Sequence, residues 1–147
     1  MAETRLRLAA TDKEDLTVIS ACLQDAITRG SAMTFLPNVH RFAAVLNRFM
    51  WEDQQDRSVR PPRRIRTGLH FDSVLSVRSK GIDRSGEAVL QLLAIETEEG
   101  EGGNATICLR FAGGGTVLLD VECVDGYLAD KGAPWRARRK PAHDWKD

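Results

Sequence analysis

Apolar residues recur along this chain with two periods, and the switch between them predicts one early helix in a protein otherwise built of strands. Residues 4–10 alternate Leu6 and Leu8 with Arg5 and Arg7, the pattern of a short, half-buried, edge-like strand. Thr11-Asp12-Lys13-Glu14 then reads as a capping box: the Thr11 hydroxyl accepts from the backbone N–H of Glu14, and the Glu14 carboxylate reaches back to that of Thr11. Leu16, Ile19, Leu23 and Ala26 follow at helical spacing with Cys22 beside them, so the helix is expected to run to near Asp25. Two further apolar segments, 32–36 and 42–51, are separated by Pro37-Asn38 and predict a hairpin.

Period two returns over 65–77, with Ile65, Thr67, Leu69, Phe71, Leu75 and Val77 on one side and Arg66, His70, Asp72 and Arg78 on the other. That is a long strand, bent near Asp72-Ser73. Residues 88–95 are apolar on both faces, as in a central strand covered twice, and the acidic stretch 96–103 reads as a solvated loop. The runs 107–111 and 117–121 flank Ala112-Gly113-Gly114-Gly115-Thr116. Because opposed residues in an antiparallel pair share a face, Phe111 is expected opposite Val117, Leu109 opposite Leu119 and Ile107 opposite Val121, with Gly113, Gly114 and Gly115 as the loop. In this register Cys108 faces Asp120 and Thr106 faces Glu122. A phosphate cradle needs a helix after its glycines, and Thr116 instead starts a strand.

Tyr127 and Leu128 suggest a short helix over 125–131 closed by Gly132. The fold expected is therefore α+β and mainly antiparallel, with roughly seven or eight strands, an N-terminal helix and a short C-terminal helix. Its form is a curled sheet or partly open, pleckstrin-homology-like barrel; a flat sheet with both helices on one face is the alternative. A single domain spans 1–132, and 133–147 is a basic, proline-bounded tail.

The chain has 147 residues, 42% of them hydrophobic, enough to bury one core. Its 21 basic and 21 acidic residues cancel, so no global field draws it to nucleic acid or an anionic membrane, and any such binding must be local. Locally, Arg57, Arg60, Arg63, Arg64 and Arg66 surround Pro61-Pro62, and Arg136, Arg138 and Arg139 crowd the tail. Together they could grip a phosphate backbone, with Trp135 or Trp145 stacking on a base; otherwise they are solvated loops. No apolar run approaches the roughly 18 residues of a membrane span, and none at the N-terminus resembles a signal peptide. Cys22, Cys108 and Cys123 are odd in number and widely spaced, and read as reduced thiols in a cytoplasm.

Several stretches carry a resemblance: Leu46-Asn47-Arg48-Phe49, Phe111-Ala112-Gly113-Gly114, Val121-Glu122-Cys123 and Leu128-Ala129-Asp130-Lys131-Gly132-Ala133-Pro134-Trp135. With Ile19-Ser20-Ala21 and Leu23-Gln24-Asp25-Ala26, they resemble, nearly end to end, a family of short, mostly alphaproteobacterial proteins known only as a domain of unknown function. The resemblance implies a single-domain protein of the bacterial cytosol and brings no activity, cofactor or catalytic residue with it.

No chemistry-bearing constellation is placed by spacing. His40, His70 and His143 fall at a turn, on the polar side of a strand and in the tail, without metal-ligand spacing. Cys123 falls on the inward face, Cys22 borders the helix stripe, and Cys108 shares the outward face with Arg110; all three read as structural thiols. Asp120 and Glu122 lack a further base to complete an acid/base site. Hence no catalytic residue, cofactor or metal site is expected. The first functional reading is a non-catalytic protein-binding or adaptor module, or a homodimer. It rests on Met33, Phe35, Phe49, Met50 and Trp51, more large apolar residues than one hairpin easily buries; the competing reading covers both its faces within the monomer. The alternatives are nucleic-acid binding through the arginine-rich segments, and a small-ligand or enzyme role in a barrel pocket.

Overall fold

Alternating strands need a second layer over their apolar face, and here a single sheet supplies most of that layer by curling on itself. The computed structural model describes residues 5–54 and 61–137. They form β1 (Arg7–Ala10), α1 (Lys13–Cys22), β2 (Ile27–Arg29), β3 (Met33–Leu36), β4 (Arg41–Phe49), β5 (Arg63–Phe71), β6 (Val74–Lys80), β7 (Val89–Glu99), β8 (Ala105–Phe111), β9 (Thr116–Val121) and β10 (Gly126–Arg136). The sheet order is β1-β10-β5-β4-β2-β7-β8-β9-β6, with β3 added to β4 in the expected hairpin. All its pairings are antiparallel. The terminal strands β1 and β6 do not pair, so the sheet is not closed into a barrel. One core cluster joins Phe42, Leu69, Phe71 and Leu128 from one half to Ile107, Leu109, Leu119 and Val121 from the other, and it includes Leu16 and Ile19 of α1 and Leu23 just after it.

The helix buries the expected stripe but is capped one residue later than expected. Asp12 accepts from the Asp15 N–H at 2.8 Å, while the Asp15 carboxylate accepts from the Thr11 N–H at 3.1 Å and from its hydroxyl at 3.3 Å. It ends at Cys22, and Asp25 at φ 66° then turns the chain, its N–H donating to Leu92 O at 2.7 Å.

Four expectations are corrected. Residues 126–131 form no helix: Leu128 and Asp130 are buried and Tyr127 and Lys131 exposed, the alternation of a strand. Ala133, Pro134, Trp135 and Arg136 belong to β10 rather than to a tail. Pro134 is tolerated because it sits in a register irregularity between Lys131 and Trp135, where Gly132 takes φ 72°. With one α-helix among the described residues and a sheet not closed into a barrel, neither the pleckstrin-homology-like form nor its C-terminal helix is borne out. β7 runs to Glu99, so Glu96, Glu98 and Glu99 lie in a strand, and its outer face is open, with Val89 and Leu93 exposed. The bend near Asp72-Ser73 is real, and Ser73 at φ 62° sends β5 and β6 to different parts of the sheet.

The last hairpin keeps the expected faces but slips by two residues. Leu109 pairs with Val117, Ile107 with Leu119 and Ala105 with Val121, so Cys108 faces Leu118 and Thr106 faces Asp120. The Phe111 N–H donates to Gly115 O at 2.8 Å, making Ala112-Gly113-Gly114 the loop, with φ of 90° and 94° at its two glycines. Gly115 is required for a different reason: a Cβ there would lie 2.5 Å from Ile82 Cγ1.

Inside the sheet, β4, β5, β10 and β1 converge on one ion pair. Arg48, with 1% of its side chain exposed, donates from Nε and Nη2 to the two carboxylate oxygens of Asp130, both at 2.8 Å. Its remaining N–H groups reach Glu52, at 3.0 and 2.7 Å, in the 3-10 turn Trp51–Gln54, and Phe49 O at 3.4 Å. Asp130 also accepts from the Thr67 hydroxyl at 2.8 Å and the Leu6 N–H at 2.9 Å. Burial pushes the Asp130 carboxyl up, but the hydrogen bonds from Arg48, the Leu6 N–H and Thr67 outweigh it and hold the group below the ordinary carboxylate range.

Arg48→Met strands a buried carboxylate and is expected to cost about 3–5 kcal/mol in urea unfolding, with part of the loss recovered by adding Asp130→Leu. Since Asp130 titrates lower folded than unfolded, its stabilisation is complete above the unfolded value of ~3.9 and fades as pH falls through the folded one. The stability gap between wild type and Asp130→Asn therefore narrows on acidification. Gly115→Val is expected to lower stability by about 1–3 kcal/mol, with Ile82→Ala restoring part of it.

Candidate functional site

The outward residues of β1, β10, β5 and β4 follow from the same register, because opposed residues share a face. Ala9, Tyr127, His70 and Ala43 make one row; Arg7, Ala129, Gly68 and Val45 the next; then Lys131, Arg66 and Asn47; then Trp135, Arg64 and Phe49. Rows lie two residues apart, so the face measures about 20 Å from His70 to Arg64 along β5. The second row has the small residues Ala129 and Gly68 at its centre, and the Lys131 side chain lies close over Gly68, where a Cβ would sit 3.0 Å from Lys131 Cε. Arg7, Arg66 and Lys131 are exposed and make no ion pair among the described residues.

Aromatic groups bound this basic strip. At one end the His70 ring stacks on Tyr127, with centroids 4.8 Å apart and planes at 27°. Burial and the Arg41 charge hold His70 below its ordinary value, so the ring is neutral at pH 7. A hydrogen bond with Asp125 raises the Tyr127 phenol. At the other end Trp135 is 41% exposed. Beside it the Arg64 guanidinium covers the buried Phe49 ring at 5.7 Å and donates to Asn47 O at 3.0 Å and Asp25 O at 3.3 Å; burial lowers its pKa.

The residues singled out from sequence separate accordingly. Arg66 lies on the open face, and Arg136 is exposed at the sheet end opposite Arg63. Arg63 is clamped to Asp53 at 2.9 and 3.0 Å, and Arg64 is half-buried. Arg57, Arg60, Arg138, Arg139 and His143 lie outside the described residues. The points from which the two arginine-rich segments continue are joined, the Ala137 N–H donating to Pro62 O at 2.8 Å. Met33, Phe49 and Met50 are buried, Phe35 packs half-buried against the core, and Trp51 is half-buried with its indole N–H on Gln24 O at 3.0 Å. These five form no exposed apolar patch, although Leu36, Val39 and Val45 of the same hairpin are exposed. The barrel pocket has no barrel to lie in. Sequence reasoning missed Arg7 and Lys131, although the alternation of 126–131 was there to place Lys131 outward.

A second concavity of about 580 Å³ lies between α1 and the outer side of β7–β9, lined among others by Lys13, Glu96, Thr106, Cys108 and Arg110. Arg110 and Glu96 are ion-paired with each other there. Cys22 and Cys108 are half-buried and burial raises both thiols, with Arg48 and Arg110 respectively offsetting part of the rise. Cys123, expected inward, is exposed beyond the end of β9. Among the described residues no group of three or more His, Cys, Asp or Glu could hold a metal, and no helix is long and apolar enough to cross a membrane. A thiol-labelling time course on the folded protein is expected to show Cys123 reacting first and Cys22 and Cys108 much later, with Cys123→Ser removing the fast phase.

A family model described as protein of unknown function (DUF2948) matches residues 6–143. No curated protein and no solved structure matches the chain.

Proposed function

The chain belongs to that family of proteins of unknown function, and we propose that it is a non-catalytic module that binds single-stranded nucleic acid on the outer face of β1, β10, β5 and β4. The observation that carries this reading is the placement of Arg7, Lys131 and Arg66 in adjoining rows between an exposed Tyr127 and an exposed Trp135. Unpaired cations attract a phosphate backbone, and aromatic rings at either end offer stacking worth about 1–3 kcal/mol per base. A neutral total charge does not oppose it, because the acidic Glu96, Glu98 and Glu99 lie on β7, in the other half of the sheet. Pro62 and Ala137, which border the two arginine-rich stretches of the sequence, are joined by a hydrogen bond next to the Trp135 end of this face. A cytoplasmic setting belongs to the same proposal. Burial of Met33, Phe49 and Met50 leaves the protein-partner reading less exposed apolar surface to rest on.

Fluorescence anisotropy with a labelled single-stranded RNA and the full chain tests the proposal. Binding at low salt is expected to weaken at least tenfold in Arg66→Ala/Lys131→Ala, with the salt slope reduced by about 2, since each phosphate contact contributes roughly 1. Arg78→Ala/Lys80→Ala on β6 should bind as wild type does. Absence of binding at low salt, or equal loss in both pairs, overturns it.

A further inference from the structure

The basic face is interrupted where β2 leaves β4. Only Ile27 and Asn47 pair between these strands; one residue on, the Thr28 hydroxyl takes the Val45 carbonyl at 2.7 Å in place of a ladder bond. The chain then turns through Gly30, where a Cβ would lie 2.1 Å from Asp83 O, and pairs with β4 again only from Met33 opposite Ala44. The fork leaves a pocket of about 320 Å³ lined by Ile27, Arg29, Val45, Asn47, Arg66 and Val89, among others.

Its lining is chemically divided. Val45 and Val89 are 45% and 62% exposed, apolar walls on an otherwise polar surface. Asn47 adds an amide whose side chain has no hydrogen-bond partner among the described residues, and an amide can donate and accept at once along the edge of a base. Its cationic lining is Arg66, which has no ion pair among the described residues, and Arg29, whose one ion pair among them is a 3.7 Å exposed contact with Glu87. We propose that this pocket is a subsite for one purine nucleotide, its base between Val45 and Val89, its edge on Asn47 and its phosphate at Arg29 and Arg66. The assignment deepens the nucleic-acid reading and rests on it for its biological sense, while its chemistry can be tested alone.

Amide-resolved NMR titration of the full chain with adenosine monophosphate is the test, with uridine monophosphate, adenosine and inorganic phosphate as comparison probes. Saturable shifts at Val45, Asn47 and Val89 are expected with adenosine monophosphate, weaker binding of adenosine, and no shift at Val45 or Val89 with phosphate. Val45→Trp, at an exposed position, should fill the pocket and weaken adenosine monophosphate at least tenfold. Asn47→Ala should cut its preference over uridine monophosphate fivefold or more. No saturable shift in the wild-type chain, or shifts with phosphate equal to those with the nucleotide, overturns the subsite. If RNA still binds through Arg66 and Lys131, the subsite alone fails; if the nucleotide binds and RNA does not, the strand-binding reading fails and the pocket stands.

Discussion

The buried pair between Arg48 and Asp130 is the constraint on which one half of this molecule turns. A guanidinium and a carboxylate taken from water are costly unless every donor and acceptor finds a partner. Arg48 meets that demand with Asp130, Glu52 and the Phe49 carbonyl, and Asp130 meets it with Arg48, Thr67 and the Leu6 N–H. Those partners come from β4, β5, β10, the residue before β1 and the turn after β4. A shift of any one strand past another would leave a charge unpaired in the core, so the network sets strand register as well as strand contact.

Register on the inside fixes chemistry on the outside. In a strand the neighbours of an inward residue point outward. The residues next to Leu6, Thr67 and Asp130 are Arg7, Arg66 with Gly68, and Lys131, which are the basic strip and the glycine under Lys131. The interior ion pair and the exterior cations are thus two faces of one arrangement. The open form of the sheet has a similar consequence. Because β2 is only three residues long and β3 rejoins β4 beyond it, the face divides into a strip and a pocket that share Arg66.

Much of this was legible in the sequence, and the misses have physical causes. Alternation located the strands around Leu6, Leu69 and Leu109, and 3.6-residue spacing located α1. Parity found the inward face of the last hairpin but not its register, because a slip of two residues leaves every face unchanged. Tyr127-Leu128 was misread as helical because Gly132 resembles a helix stop; in fact it serves a strand irregularity opposite β5. The central ion pair was invisible because its partners lie 82 residues apart, and nothing local distinguishes a buried arginine from a solvated one. Likewise, charge counting marked Arg63, Arg64 and Arg66 alike, whereas only tertiary structure shows that Arg63 is spent on Asp53 and Arg66 is not.

Photo-crosslinking of a single-stranded RNA carrying 4-thiouridine, followed by mass-spectrometric mapping of the joined residues, tests the central claim most directly. The proposed binding face predicts crosslinks at Tyr127 and Trp135, the exposed rings that bound the basic strip. Crosslinks concentrated instead along β7–β9 and α1, or spread without preference over the surface, would contradict it.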